Sequence, residues 1–419
     1  MNNRPAFHSA LLLLALATAA RGADPVSVED RLRALEAKVD TLEQENAALR
    51  QQLGAPPVVA TPAPAPTDHN PAAAIPPVVV VPVGHETRLA IGGYMQMQAE
   101  FGDAGDARFV GTADRIYVRR ARTYIAGSFP EHFDFKIEAA YDANTNAAIT
   151  GVRMQANEIF INWNRYPAAN IRVGQLKTAF SAELLGAETN GVIIERTMSV
   201  ERIGDGRQLA AEVIGTLFDH RANYIVQVGN GNGANSSAND NNKFLQSAHG
   251  DVVVHDSPAA GLLLVGGDVL HSTDTALSKP GPGFASVPGG PVNNLFTGTR
   301  DAWGLDANWH HGLFDLSTEI LWMRFRPADS IPAASFLANS WHVTASYFIV
   351  PEHLQAAVRR EHFDPDTALT GNSTENWWVG LNYYLKGNDL KFMVDYVFGQ
   401  PAGLPHDHGR FFTRFQIIY

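Results

Sequence analysis

The chain has 419 residues, no cysteine and a formal net charge of -11 at pH 7. Its basic residues form few clusters and are outnumbered by acidic ones, which argues against a nucleic-acid-binding protein. No run of about 18 apolar residues follows the N-terminal stretch, which excludes a helical membrane protein. The absence of cysteine is compatible with an exported bacterial chain that has no disulfide framework.

Residues 1–23 are typical of a secretory signal peptide. Arg4 supplies positive charge, residues 11–17 form an apolar core, and the small residues 17–19 form a cleavage site. The apolar core is too short to cross a bilayer. We therefore expect export and cleavage between residues 19 and 23. The alternative is an apolar helix of the mature protein.

Residues 24–53 are predicted to form a coiled coil. Two sets of residues occupy the heptad core positions: Val28, Leu35, Leu42 and Leu49, and Leu32, Val39, Asn46 and Leu53. In a parallel, in-register coil the flanking charges attract each other, as Lys38 and Glu43 of the partner helix do. A single solvated helix, the alternative, would expose the whole apolar stripe. The pattern predicts a homo-oligomerisation arm and leaves two and three strands open.

Residues 54–87 are predicted to be a linker. Nine prolines lie between residues 54 and 83, in a stretch that shows neither helical nor strand periodicity. Such a segment is a semi-rigid polyproline spacer, which at ~3.1 Å per residue reaches on the order of 90 Å when extended. It separates the arm from residues 88–419, which we predict to be one domain.

Apolar and polar residues alternate with a period of two from residue 88 onward. Phe133, Phe135 and Ile137, for example, alternate with charged residues. Each strand therefore has one apolar and one polar face. A soluble sandwich would show the same alternation, so the period alone does not decide the fold.

Sixteen strands are predicted, near 88–100, 115–127, 133–142, 153–165, 169–177, 207–217, 220–229, 249–256, 261–271, 300–310, 313–325, 338–349, 353–363, 374–386, 389–399 and 409–419. Long connections alternate with short ones, as outer loops and periplasmic turns do in outer-membrane barrels. The last strand places Phe411 and Phe415 outward and ends on Tyr419, an aromatic end that such barrels share. We therefore predict an all-β protein, a 16-stranded antiparallel transmembrane β-barrel preceded by a coiled-coil helix and a Pro-rich linker.

Residues 178–206 form the longest connection between strands in this part of the chain. A loop of this length in a compact domain is usually functional. It carries Leu184, Leu185 and Ile193 among several glutamates, and it is too apolar to extend into water. We expect it to fold back into the hollow of the barrel. The alternative is a surface flap or an amphipathic helix.

Several motifs occur in order: IYVRRAR at 116–122, FDFKIE at 133–138, EIFIN at 158–162, RVGQLK at 172–177, FS at 180–181, IER at 194–196 and GR at 206–207. Over about 90 residues this series resembles the phosphate-selective porin O and P family. The resemblance implies a trimeric sixteen-stranded barrel whose third outer loop folds inward and narrows the pore. Residues 178–206 are the third long loop here.

The resemblance also implies that lumenal arginines and constriction lysines concentrate phosphate. The family's Arg-Arg-Ala-Arg motif matches Arg119, Arg120 and Arg122, the lysine before the inward loop matches Lys177, and Arg196 belongs to the IER motif. Arg120 and Arg122 share a strand face, whereas Arg119 points the other way unless a bulge redirects it.

Arg172 lies between Ile171 and Val173, which point outward, so we place it in the lumen. From residue 86 onward, however, the sequence contains 26 Lys and Arg but 35 Asp and Glu. The strand pattern puts both signs in the lumen: Lys136, Arg172, Arg359, Lys391 and Arg414 against Glu138, Glu158, Glu212, Glu319 and Asp395. Selectivity depends on the charges at the constriction rather than on the total.

The sequence thus predicts an outer-membrane porin for passive diffusion of small anions such as phosphate, with its N-terminal arm in the periplasm. The expected partners are anionic solutes, outer-membrane lipid and two further copies of the chain, and no cofactor or metal is expected. One alternative is a weakly selective porin whose arm tethers the membrane to peptidoglycan. An outer-membrane enzyme is a weaker alternative, because the sequence contains no GxSxG or HExxH motif.

Overall fold

The structure, a computed structural model, describes residues 79–83, 87–103, 107–109, 112–143, 152–278, 295–331, 334–400 and 409–419. The predicted signal peptide, the coiled coil and most of the linker lie outside the described residues. Among the described residues, no helix is long and apolar enough to cross a membrane.

Seventeen strands make up the described part of the chain: β1 (Val79–Val83), β2 (Thr87–Gly102), β3 (Arg115–Phe129), β4 (Phe133–Ala143), β5 (Val152–Tyr166), β6 (Ala169–Lys177), β7 (Arg207–Leu217), β8 (Ala222–Gly229), β9 (Leu245–Ser257), β10 (Gly261–Ser278), β11 (Leu295–His311), β12 (Phe314–Pro327), β13 (Phe336–Val350), β14 (Leu354–Asp364), β15 (Thr374–Lys386), β16 (Leu390–Gln400) and β17 (Gly409–Ile418). A short 3-10 turn, Ala107–Phe109, lies between β2 and β3.

Strands β2 to β17 close into a barrel. Each pairs antiparallel with the next, and β17 returns to pair with β2, as in the Phe415 and Met97 pair. The sixteen predicted strands and their antiparallel order are therefore confirmed. The largest boundary difference is in β10 and β11, which continue to Ser278 and start at Leu295. Their outer ends pair only after an irregularity between Asp274 and Leu277, a feature of the partner strand that a local pattern does not contain.

Strand β1 was not predicted from the sequence. It pairs with the start of β2, from Val79 with Ile91 to Val83 with Thr87. The end of the predicted linker is therefore a strand. Its surrounding prolines indicated polyproline structure, but Pro82 is compatible with a strand at the edge of a sheet, where no partner needs its missing amide hydrogen.

The two faces of the barrel wall differ as the period of two predicts. On β6, Ile171 and Val173 are 43% and 56% exposed on the outside, whereas Arg172 between them is 3% exposed. On β17, Phe411 and Phe415 are exposed and Arg414 is buried. The outer surface is thus apolar and the interior contains the charged side chains.

Candidate functional site

The connection between β6 and β7, residues 178–206, lies against the inner faces of strands on several sides of the barrel and is called the inner segment here. It contains two short helices and a 3-10 turn: Ala182–Leu185, Met198–Arg202 and Glu188–Asn190. The Ser181 hydroxyl accepts a hydrogen bond from the Leu184 amide (3.2 Å) and caps the first helix. Such a cap satisfies one of the amides that a helix start leaves unpaired.

Apolar side chains hold the middle and both ends of the inner segment against the wall. Ile193 and Ile194, each 2% exposed, belong to a buried cluster with Trp378 of β15 and Phe412 of β17. A second cluster combines Phe180, Met198 and Ile203 with inward apolar side chains of β9 to β14, among them Leu245, Leu321, Phe325 and Phe363. The apolar residues of the segment are therefore buried, which accounts for their presence in a long connection.

Glu195 binds the inner segment to three strands at once. Arg119 donates to both of its carboxylate oxygens, at 2.9 Å and 2.8 Å, and Arg414 of β17 donates to Oε1 at 2.9 Å. Gln98 of β2 adds a further hydrogen bond at 3.0 Å. The carboxylate is 1% exposed, so these charge-assisted bonds act in a site largely shielded from water.

A β-bulge brings Arg119 to this site. In the β2–β3 ladder Gln96 faces Arg120, but the next residue of β2, Met97, faces Val118. Arg119 is therefore the extra residue, and both it and Arg120 point into the barrel, at 8% and 5% exposure. This answers the question that strict alternation left open.

Glu188 is the second acidic residue of the segment that the arginines share. Its Oε2 lies 3.1 Å from Arg120 Nε and 3.0 Å from Arg122 Nη1, and its Oε1 lies 3.8 Å from Arg196. Burial alone would raise the pKa of Glu188, but Arg122 and Arg120 outweigh it and hold this pKa well below the ordinary value. The glutamate therefore remains charged and paired.

Other cations bind carbonyl groups of the inner segment. Lys177 Nζ donates to the carbonyls of Leu185 (2.9 Å) and Gly186 (2.8 Å), and Arg196 donates to the Leu184 and Gly186 carbonyls at 3.0 Å and 2.9 Å. On the far side, Lys391 of β16 binds the carbonyls of residues 189 and 191 at 2.8 Å and 2.9 Å. These groups keep the backbone of the segment hydrogen-bonded inside the barrel.

The structure thus brings Arg119, Arg120, Arg122 and Arg196 together around Glu188 and Glu195. Arg172 lies apart from them, with its Nε 3.0 Å from Glu212. Lys177 and Arg172 line one small cavity on β6 together with Glu158 and Glu212. Each of the six predicted site residues faces the interior, and each has a polar partner.

The family model of phosphate-selective porin O and P matches residues 91–266 and 290–400, which is more than half of the chain. The chain belongs to the phosphate-selective porin O and P family. The resemblance predicted from the motifs is confirmed, and this porin is an outer-membrane channel. Family membership favours a channel over the enzyme alternative. Comparison with curated protein sequences finds no match.

Solved outer-membrane porins have a similar barrel. The anion-selective porin from Comamonas acidovorans aligns with a TM-score of 0.55 at 12% identity, over 80% of this chain and 100% of that one. The channel DcaP of Acinetobacter baumannii aligns with a TM-score of 0.56 at 12% identity, over 81% of this chain and 99% of that one. A loop L8 deletion mutant of OmpT, an outer membrane protein of Vibrio cholerae, aligns with a TM-score of 0.57 at 11% identity, over 80% of this chain and 100% of that one. At these identities the likeness shows the fold.

An acidic wall lies on the inner face of the barrel, on the side opposite the arginines. Of its residues, only Glu319 was predicted from the sequence. The wall consists of the buried, inward-facing residues Asp251, Asp268, Asp306 and Glu319 on β9, β10, β11 and β12. Strands β3 and β11 are eight places apart in the ring of sixteen, so this wall lies opposite the arginines. The sequence pattern that could have predicted this wall is the period of two that also located Arg172, because each acidic residue is next to an outward-facing apolar residue.

The missed partners of the arginines, Glu188 and Glu195, had a weaker signal. Both were visible only as acidic residues in a connection without strand or helix period. What indicates them is a physical requirement, since several guanidinium groups on one inner wall need anionic partners when they are buried. That requirement does not say which carboxylates supply the charge.

Proposed function

We propose that this porin lets small anions, phosphate among them, diffuse passively through a lumen that the inner segment narrows. The observation that carries the proposal is a charge imbalance where the segment meets β3 and β17. Five guanidinium groups share the carboxylates of Glu188 and Glu195, and Glu138 also lies 3.9 Å from one of them, Arg122; the five belong to Arg119, Arg120, Arg122, Arg196 and Arg414. The cationic excess favours anions at the narrowest section, where selectivity is decided.

The narrowing is supported by how the inner segment is held. Its contacts reach β3 through Arg119, β14 through Arg359, which donates to the Glu195 carbonyl at 2.7 Å, and β10 through Asp268, which accepts from the Ser181 amide at 2.9 Å. A segment bound to such distant strands crosses the lumen. Solutes then pass through what remains of the cross-section.

The alternative is a weakly selective porin, and one observation favours it. The acidic wall on β9–β12 faces the arginines across the lumen, so the two sides carry opposite charge. A field across the pore would orient polar solutes of either sign. Measured selectivity separates this function from the anion channel.

Reversal potentials in a salt gradient test the proposal. The purified wild-type porin in a planar bilayer is expected to prefer anions, and Arg120→Ala is expected to reduce that preference because it removes one shared cation. Arg221→Ala, in the exposed turn between β7 and β8, is the matched control and should leave the potential unchanged. A cation preference that Arg120→Ala does not alter would contradict the anion channel.

We also propose a homotrimer held partly by residues 24–53, with the arm and the part of the linker before β1 extending toward peptidoglycan. The heptads support self-association, and one solved form of OmpT from Vibrio cholerae, at 8% identity, is a trimer. Sedimentation of the full chain in detergent should give three copies per particle. If a variant that lacks residues 24–53 still contains three copies per particle, the arm does not hold the trimer together and its role is limited to tethering.

A further inference from the structure

We propose that Glu183, Glu319 and His342 bind a divalent transition-metal ion such as Zn²⁺, which links the inner segment to the barrel wall. Glu319 of β12 and His342 of β13 are direct cross-strand partners on the inner face. Glu183 approaches them from the helix Ala182–Leu185 of the inner segment. Glu183 is far in sequence from the other two residues, and no motif indicates the site.

The donor atoms lie near one another but must close in on an ion. One donor atom from each of the three residues lies within 4.8 Å of the other two. In tetrahedral coordination, ligands at about 2.0–2.2 Å from one Zn²⁺ are separated by roughly 3.3–3.6 Å. Each pair of donors therefore needs to approach by up to about 1.4 Å, which requires side-chain rotation when the ion binds.

Two potential ligand atoms of this group have no hydrogen-bond partner among the residues that the structure describes. Glu319 Oε1 and His342 Nδ1 are buried there without a hydrogen-bond partner, and their residues are 2% and 4% exposed. The other oxygen of Glu319 accepts from the Ser181 hydroxyl at 2.9 Å, which orients the carboxylate. A buried carboxylate oxygen and ring nitrogen left unpaired cost stability, and one cation would satisfy both.

An ion can reach the site from inside the barrel. Glu183, Glu319 and His342 all line a cavity of about 300 Å³, which also contains Asp306. Asp306 Oδ2 is likewise without a hydrogen-bond partner among the described residues, and a water in the cavity can complete the coordination. Arg359 lies 3.5 Å from Glu183, and the Thr197 amide donates to the same carboxylate at 3.2 Å, so a bound ion would share Glu183 with these partners.

The donor types select the class of metal. One imidazole nitrogen with two carboxylate oxygens suits Zn²⁺, Co²⁺ or Mn²⁺, whereas Mg²⁺ and Ca²⁺ prefer oxygen donors alone. A second group, His249, Asp268 and Asp306, has a similar composition. There, however, His249 Nδ1 already lies 2.8 Å from Asp268 Oδ1, so the imidazole is engaged in a hydrogen bond. It therefore provides the matched control.

The test is Zn²⁺ titration by calorimetry on the folded, tag-free full chain in detergent, which needs no transport measurement. The wild type should bind Zn²⁺ at one high-affinity site, and His342→Gln should weaken binding by at least ~10-fold, since even second-shell changes to metal sites cost that much. His249→Gln should leave the affinity unchanged. No high-affinity Zn²⁺ site in the wild type, or a loss caused by His249→Gln and not by His342→Gln, would overturn the proposal.

A spectroscopic measurement on the wild type keeps the test valid if a variant does not fold. Co²⁺ added to the wild type should produce visible absorption bands of a low-symmetry site with a nitrogen ligand, and Zn²⁺ should displace them. Co²⁺ that shows only the spectrum of the hydrated ion would overturn the proposal. Because binding is measured directly, failure here is distinct from failure of anion selectivity in bilayers.

Discussion

Deleting residues 184–194 is expected to raise the single-channel conductance severalfold. This expectation rests on the proposed narrowing: these residues lie inside the barrel between the wall contacts of Glu183 and Glu195, so their removal should enlarge the open cross-section. The ends to be joined are close, because the Thr197 amide donates to Glu183 Oε1 at 3.2 Å. The barrel itself keeps all its strand pairs. Single-channel recording in planar bilayers measures the effect.

The control removes a shorter stretch, five residues, from a connection outside the inner segment. Deletion of residues 236–240, between β8 and β9, should leave the conductance close to that of the wild type. Resistance to unfolding in detergent at room temperature shows that both barrels have folded. A folded deletion of residues 184–194 with unchanged conductance would mean that the inner segment does not limit the pore.

Glu195→Gln is expected to loosen the inner segment and to increase anion preference. The change leaves the buried guanidinium groups of Arg119 and Arg414 without their carboxylate, and breaking a buried pair in this way costs ~3–5 kcal/mol. The same change removes one of the negative charges that the arginines share. Thermal unfolding in detergent measures the first effect, and reversal potentials measure the second.

Glu131→Gln is the matched control, because Glu131 lies exposed in the turn between β3 and β4. It should change neither melting temperature nor selectivity. If Glu195→Gln behaves like this control, Glu195 does not hold the segment. An increased anion preference without loss of stability would separate the electrostatic role from the structural one.

The difference in melting temperature between wild type and Glu195→Gln depends on pH, and this dependence follows from the pKa of Glu195. Burial alone would raise the pKa, but Arg119 and Arg414 outweigh it and hold it well below the ordinary 4.5. Such a group stabilises the folded state above its unfolded pKa, and the contribution disappears as the pH falls through the folded pKa. The difference in melting temperature between wild type and Glu195→Gln should stay constant from neutral pH down to about 4.5 and shrink below it. Shrinkage near neutral pH would contradict the lowered pKa.

The strands and their faces could be predicted because alternation is a local property. A residue such as Arg172 has its side determined by Ile171 and Val173 on either side of it, and a long apolar stretch on one face needs lipid or a core. All sixteen barrel strands were found in this way. Strand β1 was not, because its local signal, a proline among valines, is shared by polyproline structure.

The amino-acid sequence by itself determined the sixteen strands, their apolar outer faces and the interior position of most charged residues, since each follows from neighbours in the chain. Only the tertiary structure decided that Arg119 turns inward and that Glu195 binds it. The bulge arises in the pairing of β2 with β3, and the bonds to Glu195 join residues 76 positions apart for Arg119 and 219 for Arg414. Contacts of that range depend on how the closed sheet places its strands, and no local period records them.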